Sequence, residues 1–219
     1  MPGREEFDYL LRRIENELLK MGYLVHQNLL QSFEGFFSKN AKLIKEAMDK
    51  EDLVDRMENT LNQQISSAIA LYQPVGVDLR RLLSFLFIAN DLERIADLSH
   101  NASKIGLELI DMPPIKPYVD LPRMSQTCSN MLEEVLSALI DTNAQKAQST
   151  AKQDDIVDSL NRKIWKELLS YMMEDPQCIE IAEKIIVISK QLERIGDHIT
   201  NIAERICYMD SGLIPDLNE

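Results

Sequence analysis

The sequence predicts an all-α protein built of two tandem antiparallel three-helix bundles that are related by internal duplication. Three observations predict it: few chain-breaking residues, apolar residues at helical spacing, and an acidic motif that occurs twice. Of the 219 residues only 7 are glycine and 8 proline, whereas 45% are hydrophobic and 27% are charged. An all-β fold needs many turns and a disordered chain has fewer apolar residues, so both classes are excluded.

The first half of the chain has three helical stretches. Apolar residues recur every three or four positions over residues 4–37, which predicts a long first helix. Asn40 can cap a second helix, whose apolar positions run over 43–69 and which ends before Pro74. A third helix is expected over about 75–110, and together the three helices can form an antiparallel bundle.

A proline-rich segment divides the chain in two. Residues 112–122 hold four of the eight prolines, and proline removes a backbone donor and disfavours helix at the preceding residue. The helical pattern then resumes in three further stretches, at about 123–147, 150–173 and 177–209. The expected domains are a first bundle over 1–111, a linker over 112–122, a second bundle over 123–210 and a tail over 211–219.

The two halves repeat two short motifs. Residues 92–97 read Leu-Glu-Arg-Ile-Ala-Asp, and residues 192–197 read Leu-Glu-Arg-Ile-Gly-Asp. Upstream of these, residues 51–55 read Glu-Asp-Leu-Val-Asp, and residues 154–158 read Asp-Asp-Ile-Val-Asp. Because both matches occur in the same order and at nearly the same offset, they indicate that one bundle was duplicated to give the other.

Each copy of each motif contains an acid that is followed four residues later by aspartate. At this spacing both carboxylates lie on one face of a helix, about 6 Å apart at Cβ. Two such pairs facing each other in a bundle would offer four carboxylates to Mg²⁺, Mn²⁺, iron or Ca²⁺. Acid pairs at this spacing also arise by chance on solvated faces, so the residues alone leave a metal site and a charged surface equally open. The candidate ligands are Glu51, Asp55, Glu93, Asp97, Asp154, Asp158, Glu193 and Asp197.

Polar residues near the motifs have less specific patterns. Asn101 and Asn201 lie one turn beyond the second motif, where they could support metal ligands or make polar contacts between the bundles. His100 has a ligand-like spacing from Asp97, but its counterpart is Thr200, which favours a structural or exposed histidine. The sequence also lacks the repeated Glu-x-x-His of ferritin-like di-iron bundles, which argues against a redox enzyme.

Charge and motif content exclude other classes of function. The formal net charge of −12 argues against a nucleic acid as the main partner. Three cysteines without a CxxC spacing indicate neither a disulfide framework nor a zinc knuckle, so a reducing cytosol is expected. The first residues show no basic stretch followed by an apolar run, so no secretory signal is expected, and the longest apolar patch, residues 82–89, is too short to cross a bilayer. No phosphate-binding glycine loop or nucleophile elbow is present, so nothing indicates covalent catalysis.

With these motifs in each half, and with an asparagine four residues after the last aspartate of each, the chain resembles the PhoU family. The resemblance covers about residues 5–210. It implies a cytoplasmic all-α protein, often a homodimer, that negatively regulates phosphate uptake and the phosphate-starvation response. The implied partners are the phosphate ABC transporter and a phosphate-sensing histidine kinase.

The resemblance also implies that the acidic motifs bind metal ions, including multinuclear iron or zinc clusters. The matching ligands are the eight acids named above, with Asp52 and Asp155 as possible additions, and the metal is Fe, Zn, Mn or Mg. Each half has its own variant of the motif, since Asp91 has Gln191 as its counterpart and Glu51 has the shorter Asp154. The two sites are therefore expected to differ in occupancy or preferred metal.

We expect a non-enzymatic role, in which the bundles form a metal-bridged scaffold that docks on a partner. Two alternatives stay open. A multinuclear carboxylate site could activate water for phosphoester hydrolysis, which predicts turnover that chelators abolish. A metal-free helical adaptor would use the acids only to solvate its surface. The residues themselves are compatible with a monomer or a dimer.

Overall fold

The computed structural model of the chain describes residues 3–217, and in that part it contains α-helices, one 3₁₀ turn and no strand. The ends of the predicted first bundle and tail, residues 1, 2, 218 and 219, lie outside the described residues. No helix within 3–217 is long and apolar enough to span a membrane. The helices are α1 (Arg4–Phe37), α2 (Ala41–Met48), α3 (Glu51–Tyr72), α4 (Val77–Leu109), α5 (Asp120–Ile140), α6 (Ala144–Ala151), α7 (Asp154–Glu174) and α8 (Ile179–Ser211).

The all-α class and the tandem bundles are confirmed. Helices α1, α3 and α4 pack together in the first half, and α5, α7 and α8 pack together in the second. The most extensive contact in the molecule joins α4 to α8, and α1 also packs on α5. The two bundles therefore share one continuous apolar core, with Leu92 and Ile95 of α4 and Leu192 and Ile195 of α8 fully buried in it.

The predicted second helix is wrong as one continuous element, because the chain leaves helix between α2 and α3. The stretches expected at 123–147 and 150–173 are also wrong as continuous helices. Helix α5 ends at Ile140, and the short α6 begins inside the first expected stretch and ends inside the second. In addition, α5 begins at Asp120, three residues before the expected start. Each half thus adds a short helix to its three long ones.

Asparagine caps create these additional short helices. In each half the chain enters the left-handed region just before the cap, at Lys39 (φ 57°) and Thr142 (φ 48°). The Asn40 side chain then accepts a hydrogen bond from the backbone N–H of Leu43 at 3.2 Å. Asn143 accepts one from Lys146 at 2.9 Å. Because a side-chain acceptor satisfies a free N–H of the first turn, each helix can start again after only three non-helical residues.

The upstream copies of the acidic motifs, residues 51–55 and 154–158, occupy the start of α3 and α7, whereas residues 92–97 and 192–197 lie in the middle of α4 and α8. Glu51 and Asp52 are in the first turn of α3, and Asp154 and Asp155 are in the first turn of α7. Negative side chains stabilise a helix N-terminus by interacting with its macrodipole and its free N–H groups. The acids that we predicted as ligands therefore also favour the beginning of the helix that carries them.

Candidate metal centre

The fold places the eight predicted acids on two pairs of packed helices, α3 with α4 and α7 with α8. The first cluster comprises Glu51 and Asp55 of α3 with Glu93 and Asp97 of α4. The second cluster comprises Asp154 and Asp158 of α7 with Glu193 and Asp197 of α8. All eight side chains are half-buried, whereas the neighbouring Asp52 and Asp155 are exposed. This difference favours the eight acids over the two additional candidates as ligands.

In the second cluster the four acids interact as like charges. Burial, together with the charges of Asp197, Asp158 and Glu193, raises the pKa of Asp154 to about 7. Burial also raises the pKa of Asp197, again with contributions from Glu193 and Asp158. Carboxylates that raise each other's pKa in this way lie close together, and a cation placed between them would remove the repulsion.

Gly196 lets Asp154 come close to α8. A Cβ atom at position 196 would lie only 2.1 Å from Asp154 Oδ1, and that oxygen is buried without a hydrogen-bond partner. The first half has Glu51 and Ala96 at the equivalent positions. The second half thus combines a shorter acid, Asp154, with a glycine on the facing helix. The two differences from the first half occur at the same contact.

The first cluster contains an acid that the repeat did not reveal. Burial raises the pKa of Glu93, Arg94 lowers it, and the charges of Asp55, Asp97 and Glu58 raise it. Glu58 follows Asp55 by three residues and lies on the same face of α3. Its counterpart is Asn161, which receives a hydrogen bond from Ser189, so a comparison of the two halves gives no signal for Glu58. Helical spacing from Asp55 was the signal that could have found it.

The two asparagines resolve into different roles. Asn101 donates to Asp97 Oδ1 at 3.2 Å, so it supports a candidate ligand of the first cluster. Asn201 donates to Asp91 Oδ1 of α4 at 3.4 Å, and His198 Nδ1 lies 2.9 Å from the same oxygen. Asn201 therefore takes part in a polar contact between the bundles. The contact between the bundles is confirmed for Asn201, and support of a metal ligand by Asn101 stays a prediction.

The carboxylate oxygens of each cluster are of a type that metal ions accept as ligands, but the side chains do not converge on a common point. Within residues 3–217, no three His, Cys, Asp or Glu side chains surround a common point closely enough to hold a cation. The fit rests instead on the oxygen-rich composition of each cluster, on the raised pKa values and on the buried, unpartnered Asp154 Oδ1. Carboxylate rotation within each cluster would accompany binding.

The burial of Asp154 among other acids predicts that the stability of the metal-free protein depends on pH. Because its folded-state pKa of about 7 exceeds its ordinary value of 3.8, folding favours the protonated acid. This stabilisation is complete below pH 4 and is lost as pH rises toward 7. We expect Asp154→Asn to raise the free energy of unfolding by about 1 kcal/mol at pH 8 and not at pH 4, a figure reduced for partial solvent exposure.

Urea denaturation of chelator-treated protein at both pH values measures this effect. Asp155→Asn is the matched control, because it removes a carboxylate from the same helical turn but from an exposed position. An Asp154→Asn gain that is equal at pH 4 and pH 8 would contradict the prediction.

Comparisons with known proteins extend over both halves of the chain. A family model described as the PhoU domain matches residues 18–105 and 121–206. The phosphate-specific transport system accessory protein PhoU homolog of Deinococcus radiodurans is 35% identical over 209 residues, which cover 95% of this chain and 98% of that protein. PhoU homolog 2 of Thermotoga maritima is 33% identical over 195 residues, which cover 89% of this chain and 83% of that protein.

Solved structures have the same fold. The crystal structure of PhoU from Pseudomonas aeruginosa matches with a TM-score of 0.91 at 30% identity, covering 94% of this chain and all of that one. The phosphate transport system regulatory protein PhoU from Streptococcus pneumoniae matches with a TM-score of 0.88 at 26% identity, covering 96% of this chain and 99% of that one. The arrangement of helices is therefore shared along almost the full length of each chain.

Proposed function

This chain belongs to the PhoU family, and we propose that it is a metal-binding accessory regulator of the phosphate transport system. The observation that carries the proposal is the pairing of four half-buried acids in each of two successive PhoU domains. Relatives over nearly the full chain have names that refer to phosphate-specific transport system accessory proteins. A helical scaffold with two equivalent acidic sites suits binding and regulation, and we propose no catalytic residue.

The proposed partners are the phosphate ABC transporter and the phosphate-sensing histidine kinase, and the proposed direction is negative regulation. We place the protein in the cytoplasm, as a homodimer that reaches the membrane only through its partners. To regulate, it must bind one conformation of a partner more tightly than another, because equal affinity for both shifts no equilibrium. The rigid α4–α8 contact keeps the two acidic clusters in a fixed relation while the protein docks.

A bound metal ion would compensate the like charges of each cluster and supply an electrophilic contact for an anionic group of the partner. In the first half it would be held by Glu51, Asp55, Glu93 and Asp97, and the Asn101 amide donates a hydrogen bond to Asp97. In the second half it would be held by Asp154, Asp158, Glu193 and Asp197, and Gly196 gives Asp154 access. The chain's own contribution is to position these oxygens on rigid helices.

Docking on the transporter is expected to depend on metal. We expect chelation to weaken binding to the purified transporter in lipid nanodiscs about tenfold or more, because the uncompensated clusters would repel acidic groups. Biolayer interferometry before and after chelation, and after return of Mn²⁺ or Zn²⁺, measures the effect. An Asp52→Asn/Asp155→Asn variant, with two exposed acids changed, is expected to bind like the wild type.

Two results would favour the alternatives. Binding that chelation leaves unchanged would favour a metal-free adaptor. Phosphoester hydrolysis that chelators abolish and the returned metal restores would favour a hydrolase.

A further inference from the structure

Helix α7 carries an apolar stripe on its outer face. Trp165, Leu169 and Met173 follow one another at intervals of four residues and are 50%, 40% and 79% exposed, respectively. At this spacing the three side chains lie one above the other on one face of the helix, about 6 Å apart at Cβ. Trp165 is the only tryptophan of the chain. Large apolar side chains that adjoin one another on a surface indicate an interaction site, whereas scattered ones do not.

Basic residues border this stripe. Arg162, Lys163 and Lys166 line a groove on the outer side of α7. Arg162 forms an ion pair with Asp158 at 2.9 Å. Lys163 forms one with Asp120 at 2.7 Å. Among the described residues Lys166 has no ion pair, and it is exposed. In a chain with a formal net charge of −12, this concentration of positive side chains on one helix favours an acidic partner.

The equivalent face of the first half is neither apolar nor basic. The alignment that pairs Glu51 with Asp154 also pairs α3 with α7. In α3, the counterparts of the three apolar and three basic residues are neutral polar or small residues. They are, in chain order, Asn59, Thr60, Asn62, Gln63, Ser66 and Ala70. Asn62 is half-buried, and the others are exposed. The bundle therefore folds without apolar or basic side chains at these positions, and their presence on α7 is not explained by packing.

We propose that this face of α7, formed by the three apolar and the three basic residues, is a docking surface for an acidic amphipathic helix of a protein partner. The partner's apolar residues would pack on Trp165, Leu169 and Met173, which follow the helical spacing of anchor residues in helix recognition. Its carboxylates would pair with Lys166 and the neighbouring Arg162. The assignment rests on the proposed regulatory function and adds to it the surface that docks and the charge of the partner.

The residue types of this face are those that dominate binding between proteins. Tryptophan, methionine and arginine are enriched in protein interfaces relative to the rest of the surface. Tryptophan and arginine are also frequent among the few residues whose truncation costs most of the affinity. Trp165 is therefore expected to be the main anchor of the complex.

Binding of the full chain to the purified phosphate transporter in lipid nanodiscs, with Mn²⁺ present, tests the surface by biolayer interferometry. The variant Trp165→Asn/Lys166→Gln/Leu169→Ser gives α7 the residues that α3 has at these positions. Because α3 folds with them, far-UV circular dichroism should show unchanged helix content. We expect at least about tenfold weaker binding, because an anchoring tryptophan is lost. Gln63→Ala/Ser66→Ala, which changes the equivalent exposed face of α3, is the matched control and should bind like the wild type.

A change of charge at Lys166 tests the acidity of the partner. Lys166→Glu should weaken binding more than Lys166→Gln does, because a negative side chain at this position repels carboxylates. The position is exposed, so both variants are expected to keep the fold. Lys166→Glu that binds as tightly as the wild type would overturn the assignment of an acidic partner.

Three other results would overturn the docking surface and leave the proposed metal-binding regulator standing. The first is transporter binding by the triple variant that is as tight as that of the wild type. The second is wild-type binding to empty nanodiscs that the triple variant loses, which would assign the face to lipid. The third is self-association in sedimentation velocity that the triple variant loses, which would assign it to a second copy of this chain. A wild-type protein that binds no transporter in the presence of metal would overturn both proposals.

Discussion

Replacing both Asp97 and Asp197 by asparagine is expected to strip most of the bound metal from the protein. The two aspartates are equivalent in the repeat. Asp97 is half-buried on α4 and Asp197 is half-buried on α8, the two helices through which the bundles pack together. Asparagine keeps the shape of the side chain but removes a negative charge from each cluster, where hard cations depend on carboxylate charge. We expect the affinity of each cluster to fall about 100-fold, more than loss of a supporting residue would cost.

Elemental analysis of tag-free protein, dialysed without chelator and then reconstituted with iron, manganese or zinc, measures this loss. The matched control is Asp52→Asn/Asp155→Asn, which removes two charges from the exposed faces of α3 and α7. The control should retain the full metal content of the wild type. If the wild type and the double variant take up equal amounts of metal after reconstitution, the acidic motifs are not the site.

The long helices and the duplication could be predicted because they depend on properties that the sequence repeats many times. Apolar spacing placed α1 at residues 4–37, and the structure gives Arg4–Phe37. The interruption before α3 could not be predicted from apolar spacing, because no glycine or proline marks residues 49–50, and the break predicted between 147 and 150 falls inside α6. The signal at both helix starts is a pair of acids in the first turn, Glu51 with Asp52 in α3 and Asp154 with Asp155 in α7.

The acids that occur in both halves could be predicted from the duplication. Residues near the clusters that occur in only one half could not be predicted in this way. The charge of Glu58 raises the pKa of Glu93, and Gly196 lies against Asp154, but neither residue is repeated in the other half. The contact of Asp91 with His198 is likewise unique, because the counterparts of these residues are Gln191 and Leu98. The duplication itself gives no signal for such residues. Helical spacing from Asp55 indicates Glu58, and packing against Asp154 gives Gly196 its role.

Gly196→Ala is expected to separate metal affinity from stability. The new Cβ would lie 2.1 Å from Asp154 Oδ1, which is the end of a side chain that can rotate away. The helix should therefore persist, and alanine inside a helix is about 0.5–1 kcal/mol more favourable than glycine. The displaced carboxylate no longer reaches the acids of α8, so we expect the second cluster to lose roughly 10- to 100-fold in affinity.

Calorimetric Mn²⁺ titration and urea denaturation of the same variant measure the two effects. Ala96→Gly is the matched control, because it makes the reciprocal change on α4 and leaves Asp154 untouched. It should lower the free energy of unfolding by about 0.5–1 kcal/mol while leaving the second cluster's metal affinity unchanged. If Gly196→Ala binds metal as tightly as the wild type, the close approach of Asp154 to α8 does not contribute to metal binding. If it loses affinity and keeps its stability, the close approach at Gly196 serves the site rather than the fold.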